Sequence, residues 1–305
     1  MVFSFLQFNF SQIYPIKLSS QTPVFIINPI AGAKKVNSKK LIEEFLSNNK
    51  LMGIIETTTE KNHGKTLTKK YFEEGFRHFV AVGGDGTVNE VASQLINTEA
   101  YFSIIPLGSG NGLARTLKIP MNPNEALDKV FNGKKSVMDI GLINDLPFFC
   151  TAGVGFDAHC AKQFATGNHS RGLWNYIKVI LSGYFSYQTN QSIFCEQPKE
   201  YFSVTFANAN QFGNNAYIAP DAVLDDNQLD CTIIEKHPKW YGMVMGYLLM
   251  SGKIRQSSYV EYYRGTEFSL RHNEKILMHI DGDYVEPFSD NIIAQTLPHA
   301  LKLII

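Results

Sequence analysis

Apolar residues fall along this chain in two textures, and the change comes near residue 135. Before it, short runs of β-formers alternate with stretches of helical spacing. Val24, Phe25, Ile26 and Ile27 make a continuous apolar run stopped by Asn28 and Pro29, the pattern of a buried strand. Residues 41–51 place Leu41, Ile42, Phe45 and Leu46 on one helical face. Phe79, Val80, Ala81 and Val82 read as a second strand, followed by the loop Gly83, Gly84, Asp85, Gly86. A helix is predicted over 87–96, where Val88, Val91, Ala92, Leu95 and Ile96 form one stripe. A third unit repeats the order: strand over 102–105, loop over 106–111, short helix over 113–117. Such alternation predicts a parallel sheet whose loops gather at the C-terminal ends of its strands.

After the change, β-rich segments dominate, at 202–206, 229–234, 260–263, 276–280 and 301–305. Helical interruptions are few, over 173–182 and from Trp240 onward. The fold class expected is therefore an α/β N-terminal domain with a parallel sheet, plus a mainly antiparallel β C-terminal domain. The boundaries read as an extension over 1–22 that ends in polar Ser19, Ser20, Gln21 and Thr22, an α/β domain over 23–137, and a β-rich domain over 138–305.

Composition narrows the partners. Lysine plus arginine equals aspartate plus glutamate, 28 against 28, so no global charge points to nucleic acid. The four cysteines form no CxxC pair, which favours free thiols in a reducing, cytoplasmic setting over a disulfide framework or metal cluster. The apolar first ten residues lack a basic leading region and do not read as a signal peptide. No apolar run approaches the roughly twenty residues a bilayer-spanning helix needs. The nearest, 240–251, reads on length as a buried helix in preference to a membrane contact.

Three loops carry the chemistry. Glycines at 83, 84 and 86 let backbone approach a ligand closely, and the helix that follows offers unpaired N–H groups to phosphate. Asp85 is a poor phosphate ligand alone; it makes sense if it orients a metal, a water or the loop. Small-residue loops follow the other two strands as well, at Asn28 to Gly32 and at Gly108 to Asn111.

Those segments resemble a known family. NPIAG from Asn28, GGDGTVNEV from Gly83 and PLGSGNGLAR from Pro106 are similar to the nucleotide-site motifs of the diacylglycerol kinase catalytic domain, a family akin to sphingosine and ceramide kinases. The middle motif is shared with NAD kinases and phosphofructokinases; the third is more specific to lipid kinases. APDAVLDDNQLD from Ala219 resembles the family's structural magnesium loop, and HIDGDYVEP from His279 its acidic catalytic motif. Thr59, ahead of His63 and Gly64, looks like a further nucleotide contact.

The resemblance implies an ATP- and Mg2+-dependent kinase of a lipid hydroxyl, of diacylglycerol or sphingoid type, that visits the membrane surface transiently. Gly83, Gly84, Asp85, Gly86, Thr87, Val88 and Asn89 would wrap the phosphates, with Asn28, Thr59, Ser109 and Asn111 against the nucleotide. Asp85 would help place magnesium. Asp226 would bind a structural magnesium by its side chain, with Val223 and Gln228 contributing carbonyls. Asp281 and Asp283 would supply the acceptor of the hydroxyl proton, and on an extended strand residues two apart share a face. The family usually has DGE where this chain has DGD, and many bacterial members have Asp where Gly112 stands, so either Asp281 or Asp283 could be the base. Asp157, in a strand and turn over 151–157, could face the acceptor. An NAD kinase accounts only for the middle motif. A silent lipid-binding relative leaves the joint presence of Asp85, Asn89, Asn111, Asp226 and Asp281 without a chemical reason. Oligomeric state is left open.

Overall fold

Four parallel strands, β1 (Val24–Ile27), β2 (Ile54–Thr57), β3 (His78–Gly83) and β4 (Tyr101–Pro106), stack in the order β2-β1-β3-β4. β1 and β3 are buried along their whole length, which is why they read as unbroken apolar runs. The computed structural model describes residues 18–31, 37–167, 181–286 and 289–305. The connections are helical: α1 (Ser38–Asn49), α2 (His63–Glu73) and α3 (Asp85–Ala92). After β4 come α4 (Gly112–Thr116) and α5 (Pro123–Asn132). β1 has β2 on one side and β3 on the other, so the chain reverses its direction of travel there. That switch point opens a crevice outside the strands' C-terminal ends.

The second half builds β5 (Lys135–Ile143), β6 (Leu146–Phe148), β7 (Thr151–Gly155) and α6 (Phe156–Thr166). Next are β8 (Asn190–Phe194), β9 (Gln197–Tyr201), β10 (Ser203–Ala207), β11 (Leu229–Ile234) and α7 (Gly242–Met250). The last strands are β12 (Val260–Gly265), β13 (Glu267–Arg271), β14 (Met278–Ile280), β15 (Asp283–Val285) and the long β16 (Asn291–Ile304). One sheet, β12-β11-β10-β7-β14-β15, is antiparallel throughout.

β16 ties the halves together. It pairs in parallel with β4, through Lys302 opposite Tyr101 and Leu303 opposite Phe102, and antiparallel with β5 and β13. The first sheet thus continues β4-β16-β13-β8-β9. Ala300, Leu301 and Leu303 are buried in the core of the first half, while Ile292 and Ala294 on the same strand belong to the core between the two sheets.

Two local readings of the sequence change. Residues 151–157 are not a strand and turn: β7 ends at Gly155, whose φ of 93° only glycine adopts readily, and α6 starts at once. The apolar segment near Trp240 is only half a core helix: Met245 and Leu248 are buried, but Trp240, Met243, Tyr247 and Met250 are exposed. The helix expected over 173–182 lies mostly outside the described residues, as do residues 1–17 and Gly32. No helix among the described residues is long and apolar enough to cross a membrane.

Candidate active site

The glycine loop between β3 and α3 meets the loop after β4 backbone to backbone. A Cβ on Gly108 would lie 2.5 Å from the Cα of Gly84, a distance no side chain tolerates. The amides of Leu107 and Gly108 both donate to the carbonyl of Gly83, at 2.8 and 3.2 Å. Gly86, by contrast, faces open space and is exposed at the start of α3. Helix N-terminus and open space together form a cradle suited to an anion.

Asp85 joins the two loops. Its carboxylate accepts the amides of Asn111 at 2.9 Å and Gly112 at 2.8 Å, so it caps α4 from the neighbouring loop. Asn111 sits at φ 53° and donates its Nδ2 to the Gly108 carbonyl at 2.8 Å. A side chain on Gly110 would collide with Asp85 Oδ2 at 2.8 Å. Burial raises the Asp85 carboxyl above its ordinary range, the two amides pull it back, and the charge of Asp283 adds to the rise.

Asp281 and Asp283 come to this place from the antiparallel sheet. Ile280 pairs with Asp283 across a two-residue hairpin whose tip is Asp281 (φ 49°) and Gly282 (φ 84°). Two positive φ values in succession make the type I′ turn that Asp-Gly favours. The two aspartates are therefore not on one extended strand, as their spacing had implied. One is the turn and the other opens β15.

Their surroundings differ accordingly. The Asp281 carboxylate accepts the backbone amides of Phe149 (3.0 Å), Cys150 (2.7 Å) and Thr151 (3.2 Å), and the Nδ2 of Asn89 on α3 at 3.1 Å. Burial pushes its pKa up to about 6, against the pull of those donors. Asp283 is exposed, and no side-chain hydrogen bond or ion pair of its carboxylate is seen among the described residues. Nearby His279 is fully buried, its pKa pushed down to about 4, and it is neutral.

The remaining expected positions fall into two groups. Asn28 ends β1 beside β3, its amide donating to the Val82 carbonyl at 3.0 Å, and its side chain caps Ile30. Thr59 follows β2 and contacts His63 Nδ1 through its amide and hydroxyl, each at 3.1 Å. Thr87 and Val88 are buried on α3, and Ser109 is exposed at the loop tip. All of these lie on the segments that follow β1 to β4. Val223, Asp226 and Gln228 occupy a separate loop before β11. There Asp226 accepts the Gln228 amide at 3.1 Å and faces Arg264 at 3.7 Å. Among the described residues no three His, Cys, Asp or Glu side chains converge as a metal site.

Two contributors were not legible. The amides at 149–151 that hold Asp281 carry no side-chain signal. Glu90, inside the GGDGTVNEV segment, reaches back to cap α2 through the amides of Asn62 (2.8 Å) and Gly64 (2.9 Å); its place one turn into α3 was the available clue.

Known proteins agree with this architecture. Residues 22–143 match the family described as diacylglycerol kinase catalytic domain, and residues 151–305 the YegS C-terminal NAD kinase beta sandwich-like domain. A Chromohalobacter salexigens protein named "Probable lipid kinase YegS-like" is 27% identical over 82% of this chain and 82% of its own. A Synechocystis protein, sll0036, of no stated function, is 35% identical, but over 48% of this chain and 37% of that protein. The crystal structure of a provisionally assigned diacylglycerol kinase from Bacillus anthracis superposes with a TM-score of 0.74 at 20% identity, covering 93% of this chain and 96% of the other. That likeness is one of fold.

Proposed function

This chain belongs to the lipid kinase family built from a diacylglycerol kinase catalytic domain and a YegS-type β sandwich, and from that premise we propose that it transfers the γ-phosphate of ATP to a lipid hydroxyl. The observation that carries the reading is the link between Asn89 and Asp281, which fastens the hairpin of the antiparallel sheet to the helix that begins at the glycine loop. Residues 23–137 act as the nucleotide-binding unit and 138–305 as the acceptor unit. ATP lies along the loops at Asn28, Thr59, Gly83 to Asn89, Ser109 and Asn111. Gly86 and the first turn of α3 receive phosphate.

Phosphoryl transfer asks for positioning, neutralisation of charge and a home for the hydroxyl proton. Asp281, saturated by four donors, holds the hairpin and its charge in place. Asp283, with its carboxylate open to the cleft, takes the proton from the acceptor hydroxyl. Asp85 positions the loop after β4 by capping α4. Mg2+ bound with ATP would supply neutralisation of phosphate charge, and Asp283, whose charge is felt by Asp85, is the open carboxylate that would help hold it. Trp240, Met243, Tyr247, Met250 and Phe185, all exposed, give the acceptor side an apolar surface for transient contact with a membrane from the cytoplasmic side.

The direct test offers γ-labelled ATP, Mg2+ and detergent-dispersed diacylglycerol, monoacylglycerol, sphingosine, ceramide or undecaprenol, with NAD as the aqueous control. Label in one extractable lipid is expected. Label only in NAD would replace this reading by an NAD kinase, and tight ATP binding with no transfer would point to a silent relative.

A further inference from the structure

The loop over 219–228 brings Asp221, Asp225 and Asp226 close to Asp230, an acidic stretch that invites a cation. The cation present is a guanidinium. Arg264 stands directly opposite Asp230 across the β11–β12 pair, and its three nitrogens serve three different parts of the loop. Nε donates to Asp230 Oδ1 at 2.9 Å, Nη2 donates to the carbonyl of Asp221 at 2.6 Å, and Nη1 lies 3.7 Å from Asp226 Oδ2. Tyr262 adds its hydroxyl to the same Asp230 oxygen.

The one side chain expected to bind the metal is already engaged, with Asp226 Oδ2 turned to Arg264 at 3.7 Å. Asp226 Oδ1 accepts the Gln228 amide at 3.1 Å, and the carbonyl of Leu224 accepts the Asp139 amide at 2.6 Å. Asp139, fully buried, also accepts the amides of Asn227 at 2.6 Å and His299 at 2.7 Å, which ties the loop to β5 and β16. A divalent ion bound to Asp226 would sit beside a permanent positive charge that nothing in the loop removes, because a guanidinium does not deprotonate.

We propose that Arg264 takes the place of a divalent cation in this loop, cross-linking the Asp221 carbonyl, Asp226 and Asp230 so that the loop is held without a resident metal. Any Mg2+ dependence of the protein then belongs to the nucleotide and the acids of the cleft, not to this loop. The inference stands whatever the acceptor is.

The test is thermal melting of the nucleotide-free full chain in chelator and in millimolar MgCl2. Wild type melts at the same temperature in both. Arg264→Met melts lower by roughly 5 °C or more, since it strands the buried Asp230, and Arg264→Lys falls between, because a compact ammonium cannot span the separate partners that the planar guanidinium reaches. A rise with Mg2+ that persists in Asp226→Asn comes from the acids of the cleft and agrees with the proposal. A saturable rise in wild type that vanishes in Asp226→Asn overturns it, as does unchanged melting of Arg264→Met. Should Arg264→Met fail to fold, the wild-type and Asp226→Asn arms still decide.

Discussion

Carboxylates at this site do different work according to how many donors they have already met. Asp85 spends both oxygens on the amides of Asn111 and Gly112, so its first duty is to shape the loop after β4. Asp281 is caught between burial and four donors, and its pKa of about 6 places its titration just below neutrality. The sign follows. Folding raises this pKa above the ordinary carboxylate value, so protonated Asp281 is favoured in the fold. The stability it contributes is complete at low pH and is lost as pH rises towards 6. Activity runs the other way, because the charged form holds Asn89 and the amides at 149–151. The kcat/KM profile is expected to show an acid limb at about pH 6, and Asp281→Asn, measured over the same range, to lose that limb. A profile flat from pH 5 to 7 in the wild type would contradict this assignment.

Loops and helices carry the next layer. Two glycine loops meet at Gly84 and Gly108 with no room for a methyl group. Gly108→Ala is expected to cost about 1–3 kcal/mol of stability through overpacking and to weaken ATP binding, read by melting and by titration with nucleotide. A variant with unchanged melting and affinity would mean that the loops separate easily. In the second half of the chain, α7 buries Met245 and Leu248 and leaves Met243 and Tyr247 exposed. Met243→Asp, at a position 86% exposed, should leave melting unchanged and reduce cosedimentation with lipid vesicles several-fold. Equal sedimentation of both proteins would remove α7 from the membrane contact.

How far these elements could be read from sequence depends on where their signal lies. The strands at 24–27 and 79–82 were plain because burial on both faces leaves nothing but apolar residues, and 229–234 was plain from the β-formers around its buried Asp230. α5 was legible yet passed over: Asn122 caps it and Pro123 opens it, a standard helix start. For α7, composition was the wrong guide. A short helix that is apolar all round is buried only where a neighbour covers it, and here one stripe alone is covered. The hairpin at Asp281 and Gly282 was readable from its dipeptide, but its tight turn defeated the rule that residues two apart share a face.

At the scale of the whole molecule, β16 is the feature sequence could not announce. Its register places Leu303 beside β4 and Ile292 between the sheets, so the last residues of the chain complete the first half's core. No local pattern specifies a partner some two hundred residues away. The glycine loops were recognisable in sequence, whereas the convergence of the Asp281 hairpin on α3 depends on this long-range pairing. The proposed function rests on that convergence, with nucleotide proposed on one side, acceptor on the other, and Asp283 exposed at the hairpin. The most direct measurement compares Asp283→Asn with wild type by ATP affinity and by turnover on the lipid that accepts label. The account predicts ATP affinity within about threefold and a fall in kcat of about 10²–10⁴, the range of a lost general base. Turnover within tenfold of wild type, or ATP affinity lost in step with turnover, would contradict it.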